Sequence, residues 1–185
     1  MFNVVLDSCV LFPMYLRDTL LCVSEAGFYL PFWSQRILDD TIRNLLSTER
    51  ISPEAARRLE TRMKAAFPEA IIEVPDELTE AMTNHPGDRH VLATAIVARA
   101  NVIVTSNLKH FQEKDLASWN IQAQSPDEFL TRLYNSNPQK MLEVVERQSQ
   151  SLRKPPMNLV QLLDLLHQVA PNFADLVSAY KSESL

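Results

Sequence analysis

Asp88 begins the stretch Asp88-Arg-His-Val-Leu-Ala-Thr-Ala-Ile-Val-Ala-Arg-Ala-Asn-Val-Ile-Val-Thr-Ser-Asn107, which sets a carboxylate at the start of a helical pattern and an amide just past the next apolar strand. Asp7 closes an earlier run, Asn3-Val-Val-Leu-Asp7, so a second polar side chain leaves the carboxyl end of a strand. In open α/β sheets that edge carries the ligand crevice. Carboxylates gathered around Mg²⁺ or Mn²⁺ make a water nucleophilic and neutralise the oxyanion that develops when a phosphodiester is hydrolysed. Hard oxygen donors suit such hard ions. Asp7 and Asn107 leave the sheet on one edge, and Asp88 opens the helix before the second of those strands. The spacing therefore permits the three to share a site.

Each of these residues also has an ordinary role. Asp88 is a good N-cap for the helix it opens, and by itself capping is the stronger reading, although the two roles are compatible. Asp7 with Ser8 can satisfy the amides of a turn, and Asn107 is a common turn residue. Asp39 and Asp40 sit on an amphipathic helical pattern, where one of two adjacent carboxylates normally faces water. Helical phase does not choose between them: Asp40 shares a flank with Ile37 and Asn44, and Asp39 lies near Leu46.

The elements that must position these groups alternate between strand and helix. After the first strand, 16–25 has helical periodicity ended by Gly27, and 28–33 reads as a short strand. Ser34 caps a helix over 35–46, and Ser52-Pro53-Glu54 opens another that runs to Phe67-Pro68. A strand over 70–74 and a short helix over 76–82 follow. Asn84-His-Pro-Gly87 turns into the Asp88 helix, and Val102-Ile-Val-Thr105 is a β-branched buried strand. A strand over 121–123 precedes a helix opened by Ser125-Pro126-Asp127-Glu128. This alternation predicts an α/β fold, three-layered α/β/α with a central parallel sheet covered on both faces.

Near Tyr134-Asn-Ser-Asn-Pro138 the composition changes, and only helical pattern follows, over 139–152, 158–169 and 171–180, broken at Lys154-Pro-Pro156 and Pro171. The expected division is a domain over 1–134 and an all-helical C-terminal appendage over 135–185. Leu159, Val160, Leu162, Leu163, Leu165 and Leu166 form a wide apolar face, for which packing within the chain is favoured over a partner helix.

Composition narrows the function classes. The 185 residues are 46% hydrophobic, enough for a core without staples, and carry a net charge of −5, so nucleic acid must be met by a local basic patch or a metal. Two glycines, Gly27 and Gly87, cannot build a Walker loop or a dinucleotide fingerprint. His85, His90, His110 and His167 do not form a His-Glu-x-x-His zinc site, and no Gly-x-Ser-x-Gly elbow occurs. Cys9 and Cys22 lack a metal-ligand cluster and read as a reduced intracellular thiol pair. The absence of a leader pattern and of an apolar run near 20 residues points to the cytoplasm and away from a membrane.

Five blocks, in order, resemble the PIN-domain family, in particular its VapC-type toxin branch. They are Leu16-Arg-Asp-Thr-Leu-Leu21; Trp33-Ser-Gln-Arg-Ile-Leu-Asp-Asp40-Thr-Ile-Arg-Asn-Leu45; Asp88-Arg-His-Val-Leu-Ala-Thr-Ala-Ile96; Val102-Ile-Val-Thr-Ser-Asn107-Leu-Lys-His-Phe111; and Ser125-Pro-Asp-Glu-Phe129, preceded by Val5-Leu-Asp7-Ser-Cys-Val-Leu11 near the start. The similarity covers roughly 1–134, and the tail resembles an extension carried by some of these toxins. The resemblance implies a metal-dependent endoribonuclease, the toxin of a type II toxin–antitoxin pair. It implies Asp7 and Asp88 as ligands of Mg²⁺ or Mn²⁺, with Asp40 completing the site, and this selects Asp40 over Asp39. Asn107 becomes a neutral ligand or orienter.

An RNA substrate and a cognate antitoxin are the implied partners, and a homodimer is left open. The chain departs from the family pattern at Asp40, usually Glu, at Asn107, an acidic position in the family, and at His110, where Asp is frequent. Fewer negative charges predict weaker ion binding without the RNA phosphate. Ser8, Arg43, Asn44, Lys109 and Arg89 are candidate contacts to the cluster or to phosphate. The rival class is a non-catalytic PIN-like interaction module with a degenerate acidic set, and a DNA-directed nuclease is a third reading.

Overall fold

The computed structural model describes residues 1–153 and 155–183. Lys154, the first residue of the expected Lys154-Pro-Pro156 break, and the last two residues of the expected appendage lie outside the described residues. The chain divides into two compact units, one of residues 1–12 and 29–123, the other of residues 13–28 and 124–185.

The first unit is built on a five-stranded sheet of β1 (Asn3–Leu6), β2 (Leu30–Ser34), β3 (Ile71–Ile72), β4 (Val102–Val104) and β5 (Gln122–Gln124), in the order β3-β2-β1-β4-β5. β1 pairs in parallel with both β2 and β4, and β2 with β3, as the alternating pattern predicts. Val4, Val5, Leu6, Ile103 and Val104 are fully buried, as strands covered on both faces must be. The switch in strand order between β2 and β4 around β1 puts a crevice at the carboxyl ends of β1 and β4.

Helices α1 (Ser8–Leu11), α3 (Gln35–Ser47), α4 (Pro53–Ala66), α5 (Asp76–Ala81), α6 (Arg89–Val97) and α7 (Glu113–Leu116) complete this unit, α2 (Met14–Glu25) belonging to the other. α6 packs on β1, β2 and β4, and α3 packs on α1, α4 and α6. The local signals operate as expected. Ser34 Oγ accepts from the Ile37 amide at 3.4 Å, and Ser52 Oγ from the Ala55 amide at 3.2 Å behind Pro53. The four-residue α1 is too short to show periodicity, and no expectation covered it.

The second unit is helical: α2, α8 (Pro126–Ser136), α9 (Pro138–Ser151), α10 (Leu159–His167) and α11 (Pro171–Glu183). Gly27, at φ +82°, takes the left-handed conformation that ends α2. Ser125 and Glu128 form a capping box on α8, and Asn158 and Gln161 another on α10. Thr19 donates to Gln148 Oε1 at 2.9 Å, 129 positions away, which ties α2 to α9. Leu159, Leu162, Leu163 and Leu166 are buried, so the apolar face of α10 packs inside the chain, while Val160 is left 65% exposed. Among the described residues no helix is long and apolar enough to cross a membrane.

Candidate active site

Asp7 follows β1 directly, and its side chain turns inward rather than capping α1: the residue is 1% exposed. A buried carboxylate must be hydrogen-bonded to be tolerated. Thr105, at the end of β4, donates its hydroxyl to Asp7 Oδ2 at 2.7 Å. The Cys9 thiol approaches the same oxygen at 3.1 Å, and the Ser8 hydroxyl donates to Oδ1 at 3.3 Å. Burial, with the charge of Asp7 beside it, pushes the Cys9 thiol up to about 12, so the sulfur stays protonated. The two cysteines are free.

Asn107 is joined to this group through its backbone, its amide donating to Thr105 Oγ1 at 3.0 Å. Thr105 thus fixes both the Asp7 carboxylate and the start of the 105–107 turn, a role the sequence reading did not assign.

On α3, Asp39 is exposed and accepts from Gln35 Nε2 at 2.8 Å. Asp40, one residue on, is half-buried between Arg43 Nη1 at 2.8 Å from Oδ1 and His90 Nε2 at 3.2 Å from Oδ2. The Asp40–His90 approach lacks the alignment of a hydrogen bond. His90, 4% exposed on α6, is held below the ordinary histidine range first by burial and next by Arg36, against the opposing pull of Asp40, Asp7 and Asp88. Asp40 is the carboxylate in contact with His90, and among the described residues Asp7, Asp40 and Asp88 do not form a set with ligand atoms within 4.8 Å of one another. Arg43 remains largely exposed at 70% of its side chain while it reaches Asp40.

The capping expectation for Asp88 is corrected. It occupies the N-cap position of α6, yet makes no side-chain cap bond. Its Oδ2 instead lies 2.6 Å from His110 Nδ1, 22 residues on. An ionised carboxylate can only accept, so Nδ1 carries the hydrogen. The stronger, charge-assisted partner has displaced the local one. His110 stacks on His85 with centroids 3.9 Å apart and planes at 10°, and the Gly87 amide donates to His85 Nδ1 at 3.2 Å. His85, Asp88 and His110 each offer a ligand atom within 4.8 Å of the others. The turn around His85 hid it from the sequence reading, and only the spatial return of the 105–111 loop reveals it.

Of the remaining candidates, Arg89 Nε donates to the Asn84 carbonyl at 3.4 Å, Lys109 is exposed, and Asn44 is exposed on α3.

Comparison with known proteins agrees with this architecture. Residues 3–109 match the family model described as PIN domain, and residues 126–179 match one described as VapC50 C-terminal domain. A protein of Mycobacterium tuberculosis (strain ATCC 25618 / H37Rv) named "Putative ribonuclease VapC50" is 40% identical over 99 residues, which cover 54% of this chain. The aligned part spans 59% of that relative's length. With a parallel α/β sheet, a buried aspartate after its first strand and more than half its length matched, the chain belongs to the PIN-domain family.

Proposed function

We propose that this chain is a metal-dependent endoribonuclease, the toxin of a type II toxin–antitoxin pair, acting on RNA in the cytoplasm. The observation that supports the reading is the buried Asp7 carboxylate at the carboxyl end of β1, held by Thr105 within the PIN-matched segment. The donor set fits a hard ion: three carboxylates, with Asn107 as a neutral fourth group. Asp7, Asp40 and Asp88 would hold Mg²⁺ or Mn²⁺. Such an ion, when bound, lowers the pKa of a water and offsets charge developing on a phosphate.

The chain's own groups do the positioning. Thr105, Cys9 and Ser8 fix the Asp7 carboxylate, Arg43 steadies Asp40, and His110 orients Asp88. Because the net charge is −5, phosphate must be met locally, and the exposed Arg36 and Arg43 on α3 and Lys109 in the loop after β4 are candidate contacts. The ribonuclease activity named for the mycobacterial relative enters here as part of this proposal, as does a cognate antitoxin. The nuclease domain is taken as 1–134, and the extension over 135–185 packs its helices against α2 and α8.

The test is cleavage of a defined RNA by the purified chain with and without Mg²⁺ or Mn²⁺, with a matched DNA beside it. Asp7→Asn and Asp88→Asn should each lower metal-dependent cleavage by about 100-fold or more, with the fold of each variant checked by circular dichroism because Asp7 is buried. Undiminished cleavage by both variants refutes the assignment. No metal-dependent RNA cleavage or affinity in the native chain favours the interaction-module reading.

A further inference from the structure

The three side chains that meet beside α6 differ in kind from an all-carboxylate set. His85, Asp88 and His110 contribute two imidazoles and one carboxylate, with ligand atoms within 4.8 Å of one another. Asp88 and His110 are half-buried and His85 is exposed, so the set is open to an ion from solvent. We propose that His85, Asp88 and His110 bind a borderline first-row divalent ion, of the Zn²⁺, Co²⁺ or Fe²⁺ class, and discriminate against Mg²⁺.

Donor chemistry supplies the selectivity. Imidazole nitrogen suits the borderline ions, whereas Mg²⁺ demands oxygen and gives up water reluctantly. At metal–nitrogen distances of about 2.0–2.1 Å, tetrahedral donors lie roughly 3.4 Å apart, so a set whose ligand atoms lie within 4.8 Å of one another must tighten to close on an ion. Asp88 Oδ2 and His110 Nδ1 already face each other at 2.6 Å, so an ion taken between them replaces that hydrogen bond with two metal bonds while the imidazole proton moves to Nε2.

One rearrangement is required. Two stacked rings 3.9 Å apart at 10° cannot both hold the same ion in their planes, so one must turn. His110 is tied to Asp88, and His85 is held by the single Gly87 amide at 3.2 Å. His85 therefore turns, and the Gly87 amide loses or changes its acceptor.

A second feature marks this loop as more than a turn. Asn84, beside His85, is 2% exposed with neither side-chain polar atom hydrogen-bonded. Unpaired buried amide atoms are costly, and native proteins concentrate such costs where a loop is shaped for a task. Asp88 belongs to both this set and the carboxylate set, so the consequence for cleavage rests on the nuclease reading, whereas ion binding does not.

The composition supplies an unusually clean probe. The chain has two glycines, Gly87 at the site and Gly27 at the end of α2, so their amide resonances are readily told apart from the rest. Titration of the full chain with Zn²⁺ should move the Gly87 amide saturably and leave Gly27 in place. Mg²⁺, which the nuclease reading places on Asp88 beside Gly87, is added in competition and should not reverse the Zn²⁺-induced shift at equal concentration. By calorimetry, His85→Ala and His110→Asn should each weaken Zn²⁺ binding at least tenfold. His85→Ala alters an exposed side chain, and His85→Asn, which keeps an acceptor for the Gly87 amide, separates loss of the ligand from loss of the turn.

A Gly87 resonance that ignores Zn²⁺, or Zn²⁺ affinity unchanged in both variants, overturns the site. Displacement of Zn²⁺ by equimolar Mg²⁺ overturns the selectivity. Failure of RNA cleavage with every divalent ion, while Gly87 still answers to Zn²⁺, removes the nuclease reading and supports the ion site.

Discussion

Replacing Thr105 by Val removes one oxygen atom at nearly constant volume and tests how the buried carboxylate is held. Thr105 is fully buried and Asp7 is 1% exposed, with 2.7 Å between Oγ1 and Oδ2. A hydrogen bond to a charged group contributes about 1.5–3 kcal/mol net. The same hydroxyl oxygen accepts the Asn107 amide at 3.0 Å, whose loss adds about 0.5–1 kcal/mol because Asn107 is half-buried and water partly replaces it. The expected destabilisation is therefore about 2–4 kcal/mol. Thr105→Ser keeps the hydroxyl and deletes a methyl group, for about 1 kcal/mol.

Both tryptophans, Trp33 and Trp119, belong to the unit that contains Asp7, so tryptophan fluorescence during urea unfolding reports on that unit. With a slope of about 2 kcal/mol per molar urea, the Val variant should lose about 1–2 M in midpoint and the Ser variant about 0.5 M. Combined with Asp7→Asn, the Val substitution should cost less than it does alone, since the partner charge is gone. A Val variant within 0.5 kcal/mol of the native chain, or Ser and Val variants of equal stability, would show that Thr105 does not hold Asp7.

Two further outcomes follow from other contacts. Asp127 accepts from the Phe173 amide at 2.9 Å and from Asn172 Nδ2 at 2.6 Å, capping α11 from the start of α8. Asp127→Ala should cost about 1–2 kcal/mol and speed hydrogen exchange of the Phe173 amide about tenfold, and unchanged exchange would deny the cap. Burial raises Cys9 to about 12 and Cys22 to about 11, so both thiols should react with a disulfide reagent at pH 8 about 100-fold or more slowly than free cysteine. Raising the pH toward 11 should speed Cys22 first. Modification of either thiol in the native chain at the free-cysteine rate would contradict that environment.

Much of the architecture is readable from neighbouring residues, because helix starts and buried strands are local events. Ser34, Ser52, Ser125 and Asn158 each sit one residue before a helix and accept the amide three positions on. Val102, Ile103 and Val104 announce a buried strand by being β-branched without a polar break. Strand ends could be placed within a residue or two, as at β2, expected over 28–33 and found at Leu30–Ser34. The resemblance to a known family supplied what periodicity could not, namely which carboxylates belong together.

Contacts between distant positions were settled only by folding. Helical phase left Asp39 and Asp40 equivalent, and the packing of α3 against α6 sets Asp40 beside His90 while Asp39 faces solvent. The cap expected of Asp88 gave way to His110, a partner 22 residues away that no local rule ranks. Thr105 reaches Asp7 across 98 positions, and Thr19 reaches Gln148 across 129. Sequence patterns report the conformational preferences of a few consecutive residues. A buried charge chooses its partner from whatever the sheet and loops bring within about 3 Å, and that choice exists only in the folded chain.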